Sequence, residues 1–212
     1  MILETARLRL RPVTGSDVDA LVRLDSDPAV MRYVTGGAPT SREVIEGWVL
    51  PRAVAERRAH QTGMWTALDR HAGHFRGWFA LRTPRHSHRP EVELSYRLTR
   101  EGWGRGLATE AAHALLTMSF RELGAERVFA STMSANIASR RVMEKIGMRL
   151  SAIRLCDEDI LFGSGAGEVE YELLQSHWET TTMAWFNGRM SSAQAHPQVV
   201  RPARHAVGDL TA

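Results

Sequence analysis

The sequence predicts an α/β fold, a mixed sheet carrying helices on its faces. Three observations carry that prediction. Runs of strand length recur along the chain and are separated by longer runs of helical period. Segment 91–132 reads as strand, glycine loop, apolar helix and strand, the order of a parallel pair joined by a right-handed crossover. Finally, 43% hydrophobic and 24% charged residues in a chain of 212 describe a globular domain with one main core.

The elements follow in order. RLRLRP (7–12) alternates as a strand does. Thr14 opens a helix with Asp17 as capping partner, and Val18, Leu21, Val22 and Leu24 supply its apolar face. After a turn-like stretch around Asp27, Pro28 and Gly36-Gly37, helical sequence runs from near Thr40 to about His60, interrupted by Pro51. Segments 63–69 and 74–82 read as a strand pair, 83–90 as a polar, proline-bounded loop, and 91–98 as the next strand. A helix to Leu123 is apolar on more than one face and so belongs in the centre of the molecule. Strand 126–132, helix 137–146 closed by Gly147, and strands 148–156 and 168–175 complete the pattern. Beyond about Trp185 the apolar period fades. Residues 1–186 therefore read as a single domain, and 187–212 as a flexible tail.

Composition narrows the function classes. The net charge is +3, and of 27 basic residues only Lys145 is a lysine. The isoelectric point is about 9.6. The arginines are spread along strands instead of being clustered among aromatics, so no nucleic-acid partner is expected. No apolar run reaches the ~18 residues of a membrane span, and charge at Glu4 and Arg7 interrupts any secretory leader. A soluble, cytoplasmic protein is the expectation. The single cysteine, Cys156, makes no intramolecular disulfide, has no activating neighbour and reads as inert. His71/His74 and His86/His88 have ligand-like spacing but no acidic companions, so no metal is expected.

Gly104 and Gly106 lie between a strand end and a helix start. Free N–H groups and a partial positive charge at a helix N-terminus attract phosphate, and missing Cβ atoms let it approach. A tight turn with close packing explains the same glycines. The loop lacks the Lys-Ser/Thr of a nucleoside-triphosphate loop and the three-glycine dinucleotide pattern. About thirty residues on, NIASRRVMEKIGM (136–148) opens on a good cap, Asn136, and closes on Gly147. GWGRGLATEA (102–111) and this second segment together resemble the GNAT superfamily of acyl-CoA-dependent N-acyltransferases. The RimJ/RimL-like branch is the most similar, and LETARLRLRPVTGSDVDALVRLDSDPAVMRYV resembles its opening. The likeness covers roughly residues 2–175.

The resemblance implies a mixed seven-stranded sheet with helices on both faces and a splayed parallel strand pair holding acyl-CoA. It implies that the backbone of Tyr96, Arg97 and Leu98 runs beside the pantetheine arm of acetyl-CoA. The pyrophosphate would rest on Trp103, Gly104, Arg105, Gly106, Leu107 and Ala108, with Thr109 next, and Asn136 would meet the pantetheine end. The tyrosine acid of many members is Met143 here, and Ser139 takes its place as the proton donor to the leaving thiolate. Glu158 best matches the acidic residue of the RimL-like branch, with Glu93 as the other base candidate and Glu91 and Glu168 as outsiders. The implied reaction is acetylation of a primary amine, on a protein or peptide N-terminus or a small molecule, by direct attack in a ternary complex. A non-catalytic CoA-binding module is the alternative. A lysine-like amine costs about 4.6 kcal/mol to deprotonate at pH 7 and an α-amine only about 1–1.4 kcal/mol, so the acceptor sets how strong a base is needed. Trp48, Trp65 and Trp78 read as core or pocket wall. The acceptor cleft is expected near helices 15–60 and loop 83–90. Nothing in the sequence sets the oligomeric state, homodimer included.

Overall fold

The computed structural model describes residues 1–85, 87–154 and 167–180. The strands are β1 (Leu3–Glu4), β2 (Leu8–Pro12), β3 (Gly63–Asp69), β4 (Phe75–Arg82), β5 (Glu91–Leu98), β6 (Arg127–Met133), β7 (Arg149–Arg154) and β8 (Glu168–Leu174). They form one sheet in the order β1-β2-β3-β4-β5-β6-β8-β7. Every neighbouring pair is antiparallel except β5 and β6. The seven strands expected become eight among the described residues. The addition, β1, is only two residues long, too short to show a period, and is held by pairing Leu3 with Leu10 and Glu4 with Arg9. Expectations for Cys156, Glu158, His86 and the tail 187–212 lie outside the described residues.

The helices are α1 (Val18–Asp25), α2 (Pro28–Met31), α3 (Arg42–Val44), α4 (Leu50–His60), α5 (Leu107–Arg121) and α6 (Ile137–Lys145). α1 is led in by a 3₁₀ turn, Gly15–Asp17, whose Thr14/Asp17 capping box is the one the sequence suggests. Pro51 does not interrupt the second helical segment. A π turn, Ile45–Val49, joins α3 to α4, and Leu50 N–H reaches back to Ile45. The wide turn just before Pro51 accommodates a residue with no N–H to give.

Two apolar clusters cover the two faces of the sheet. α5 buries Ala111, Ala112, Leu115, Leu116 and Met118 against Leu8, Leu10, Phe79, Leu81 and Leu94. Each fully buried leucine contributes about 1.5–3 kcal/mol. On the other face α1, the π turn and α4 pack Leu21, Leu24, Ile45 and Ala53 on Met64, Trp78 and Ala80.

That second face carries a row of facing residues: Arg11, Thr66, Trp78 and Arg97 on β2, β3, β4 and β5. The α1 segment straps across this row. Asp17, just before α1, holds Arg11 at 2.6 Å, and Asp25 at its end lies 2.5 Å from Arg97. Eight residues of helix advance ~12 Å, close to the ~14 Å across four strands.

Candidate active site

The β5/β6 ladder runs only from Glu91↔Arg127 to Glu93↔Phe129, although β5 continues to Leu98 and β6 to Met133. Past Glu93 the two strands diverge. A cavity of about 700 Å³ passes through the gap, so its wall draws on both faces of the sheet. Trp78, Arg82, Ser95 and Arg97 line it from the α1 side, and Tyr96, Asn136, Ser139 and Met143 from the α6 side.

Gly77 sets how closely β5 passes β4 at this point. It faces Leu98, with φ +137°, and a Cβ there would come within 2.1 Å of the Arg97 carbonyl oxygen. Only a residue without a side chain lets β5 run so near.

After β5, a 3₁₀ turn (Arg100–Gly102) leads into the glycine loop. Gly104 (φ +67°) and Gly106 (φ +75°) are left-handed. Gly106 is the N-cap of α5 and gives its first amides no side-chain acceptor. A Cβ at Gly104 would meet no atom within 4 Å. The loop therefore offers uncapped N–H groups to open space, and these residues fit a pyrophosphate. Leu107 and Ala108 are buried, so only their backbone could take part. Trp103 Nε1 donates to the Leu98 carbonyl at 2.9 Å, tying the loop to the end of β5. From the N-terminal segment, Arg7 donates to the Arg105 carbonyl at 2.7 Å and pairs with Glu110 at 2.6 Å. Loop 103–109 is thus braced by residues a hundred positions away.

Across the gap, Asn136 caps α6: its Oδ1 accepts from Ser139 N–H at 3.2 Å, while Nδ2 donates to Thr132 Oγ1 at 3.0 Å. The cap turns the Ser139 hydroxyl toward Tyr96, and the two oxygens lie 3.0 Å apart. Burial pushes the Tyr96 phenol up to about 12, the Ser139 hydrogen bond only partly opposing it. Tyr96 therefore stays neutral and keeps a proton to give. Met143 is buried in the α5-side core.

Of the carboxylates named from sequence, Glu93 sits on the α1 side of β5 beside Arg82, off the cavity wall. Glu91 is bound to Arg127 at 2.8 Å. Glu168 does line the cavity, 3.8 Å from Arg154. Sequence reading missed three features: the Tyr96 side chain, Asp25 and Arg82. Strand alternation places Tyr96 on the same side as Val92 and Leu94, toward α6, so that one was within reach of the sequence. The Asp25–Arg97 contact spans seventy residues and left no local signal. Trp78 is pocket wall, as expected, and the cleft is bordered by α1 and the π turn. Among the described residues no helix is long and apolar enough to cross a membrane, and no group of three or more His, Cys, Asp or Glu is placed to hold a metal.

Residues 7–149 match the acetyltransferase (GNAT) domain family. The FsC-acetyl coenzyme A-N(2)-transacetylase of Aspergillus fumigatus is 30% identical over 200 residues, covering 87% of this chain and 83% of that protein. A GNAT-family acetyltransferase of Bacillus anthracis has the same fold, with a TM-score of 0.69 at 23% identity, covering 83% of this chain and 99% of that one. RimL, a ribosomal-protein alpha-N-acetyltransferase solved with coenzyme A, superposes with a TM-score of 0.67 at 18% identity, covering 82% and 98%. These solved structures share the fold, and the family match over residues 7–149 shows that the chain belongs to the GNAT acetyltransferase family.

Proposed function

We propose that the protein transfers an acetyl group from acetyl-CoA to a primary amine by direct attack in a ternary complex. The observation that carries this reading is the cavity threading the β5/β6 gap, with the Ser139–Tyr96 hydroxyl pair on its wall. Acetyl-CoA, when bound, supplies the thioester and the anionic pyrophosphate. The free amides of loop 103–109 and the α5 N-terminus hold that anion, and the diverging edge of β5 at 96–98 offers backbone groups to an amide-bearing arm. Ser139 donates a proton to the departing sulfur, and Tyr96 restores it through the 3.0 Å contact. Asp25 is engaged with Arg97, which leaves it a poor base. An acceptor amine of α-amine basicity, needing only about 1–1.4 kcal/mol to lose its proton, suits such a site better than a lysine.

Steady-state release of CoA across a panel of peptide and small-molecule amines tests the reading. Turnover with at least one amine is expected, with kcat falling by about 10²–10³ in Ser139→Ala while acetyl-CoA affinity holds. Tight acetyl-CoA binding with no turnover on any amine would instead establish the non-catalytic alternative.

A further inference from the structure

The α1-side wall of the cavity holds polar groups that acyl transfer does not use. Arg82, at the end of β4, lines the cavity and is enclosed enough that burial pushes its pKa down. Yet it makes no hydrogen bond or ion pair among the described residues. Of the two arginines on the cavity wall, Arg97 is engaged with Asp25; Arg11 is held by Asp17, and Arg52, near Glu56, and Arg57, whose Nη2 is buried without a partner, stand off that wall. Glu56 is occupied by Thr62 and the Thr83 amide. Glu93, the cross-strand neighbour of Arg82, attracts it from beyond ion-pair distance. Diagonally across from Arg82, Ser95 also lines the cavity, and its Oγ is buried with no partner.

An enclosed unpaired cation and an orphaned hydroxyl each cost folding free energy, and neither has a structural partner to justify it. One ligand group relieves both. A carboxylate takes two parallel N–H bonds from a guanidinium and a third bond from a hydroxyl. A single free cation matches a monoanion better than a phosphate dianion. We propose that Arg82 and Ser95 form an acceptor subsite for a carboxylate, so that the amine acceptor is a small molecule of amino-acid type. The apolar wall of Leu21, Ile45 and Trp78 receives the rest of it. This inference rests on the acyl-transfer reading for the acceptor's amine, and on the wall alone for its carboxylate.

N-acetyl-L-phenylalanine and its amide, titrated calorimetrically, differ only in the group Arg82 would read. The wild-type protein should bind the acid roughly 10- to 100-fold more tightly than the amide. Arg82→Gln should abolish that preference, Arg82→Lys should retain part of it, and Ser95→Ala should weaken it less than Arg82→Gln. The melting temperature of Arg82→Gln should equal or exceed that of wild type, because an unpaired enclosed charge is removed. Equal binding of acid and amide, a preference that survives Arg82→Gln, or a melting temperature several degrees lower would each overturn the proposal. CoA release with phenylalanine and phenylalanine amide separates the two readings. Acid-selective binding without turnover on any amine refutes acyl transfer and leaves the subsite standing. Turnover with no preference for the acid refutes the subsite alone.

Discussion

The two faces of β5 have opposite characters, although alternating residues of one eight-residue strand build both. Val92, Leu94, Tyr96 and Leu98 face α5 and α6, and the polar atom on that side is a neutral phenol hydrogen-bonded to Ser139. Glu93, Ser95 and Arg97 face α1, where Arg97 is paired with Asp25 of that helix while Arg82 and its cross-strand neighbour Glu93 form no ion pair among the described residues. In the proposed reading the α6 face handles a proton at a fixed place and the α1 face recognises charge. The strand keeps the two functions a residue apart because its side chains alternate, and the loss of pairing with β6 opens one cavity to both.

Gly77→Ala should break both faces together. Its Cβ would stand 2.1 Å from the Arg97 carbonyl oxygen at a φ that side chains avoid, so β5 must move. A loss of about 3–5 kcal/mol is expected, lowering the melting temperature by about 10 °C or more and removing activity. Calorimetric melting checks it; an unchanged transition would show that β4 and β5 separate at little cost.

Gly106→Val should affect the cofactor end and spare the acceptor wall. A β-branched residue at φ +75° forces the loop out of its left-handed turn and displaces the amides at the start of α5. Losing two charge-assisted hydrogen bonds weakens acetyl-CoA binding by about 10²–10⁴-fold. Isothermal titration with acetyl-CoA reads it directly, and wild-type affinity would remove loop 103–109 from the site.

Asp17→Asn sharpens the contrast between paired and unpaired arginines on the α1 face. Burial alone would raise the Asp17 pKa, but hydrogen bonds from Arg11 and the Thr14 amide outweigh it and hold it below the ordinary carboxylate range. A depressed folded-state pKa stabilises above the unfolded value of about 3.9 and loses that contribution as pH falls through the folded one. Asp17→Asn should therefore cost about 2–3 kcal/mol at pH 7, with the difference from wild type shrinking as pH falls below the unfolded value. Denaturant titrations at pH 7 and pH 3 would show it; a penalty independent of pH would assign the loss to packing.

Tyr96→Phe should have the smallest effect. The ring still packs on Phe79, 5.6 Å away between centroids, and only the hydroxyl behind Ser139 is lost. Turnover should fall about tenfold, less than for Ser139→Ala. The phenol's folded pKa is raised to about 12, so its contribution is complete below the unfolded value of about 10 and is lost as pH rises toward 12. Wild type should thus lose stability between pH 10 and 12 where the variant does not, a difference that alkaline melting curves would reveal.

Local patterning made much of this molecule legible. The Thr14/Asp17 box, the strands read at 63–69, 74–82 and 91–98, each within a residue of the observed bounds, and the Asn136 cap were readable because each rests on neighbours within a few positions. The glycine loop and the Asn136 segment could be linked as a site because their spacing resembles that of a known family. Pro51 misled, since whether proline breaks a helix depends on the turn preceding it, and a π turn leaves no simple period.

By itself, then, the sequence determined the order of the longer elements and the buried central helix, products of side-chain period and backbone preference, while resemblance to a known family pointed to the glycine loop and the Asn136 segment as the proposed cofactor site. Only the tertiary structure decided which groups meet within that frame. Arg7 reaches Glu110, Arg97 reaches Asp25 and Tyr96 reaches Ser139 across 103, 72 and 43 positions. Arg82 is left without a partner because the carboxylates near it are occupied or out of reach. Pairing at that range is set by how helices and strands pack in space, and hydrophobic period does not encode it.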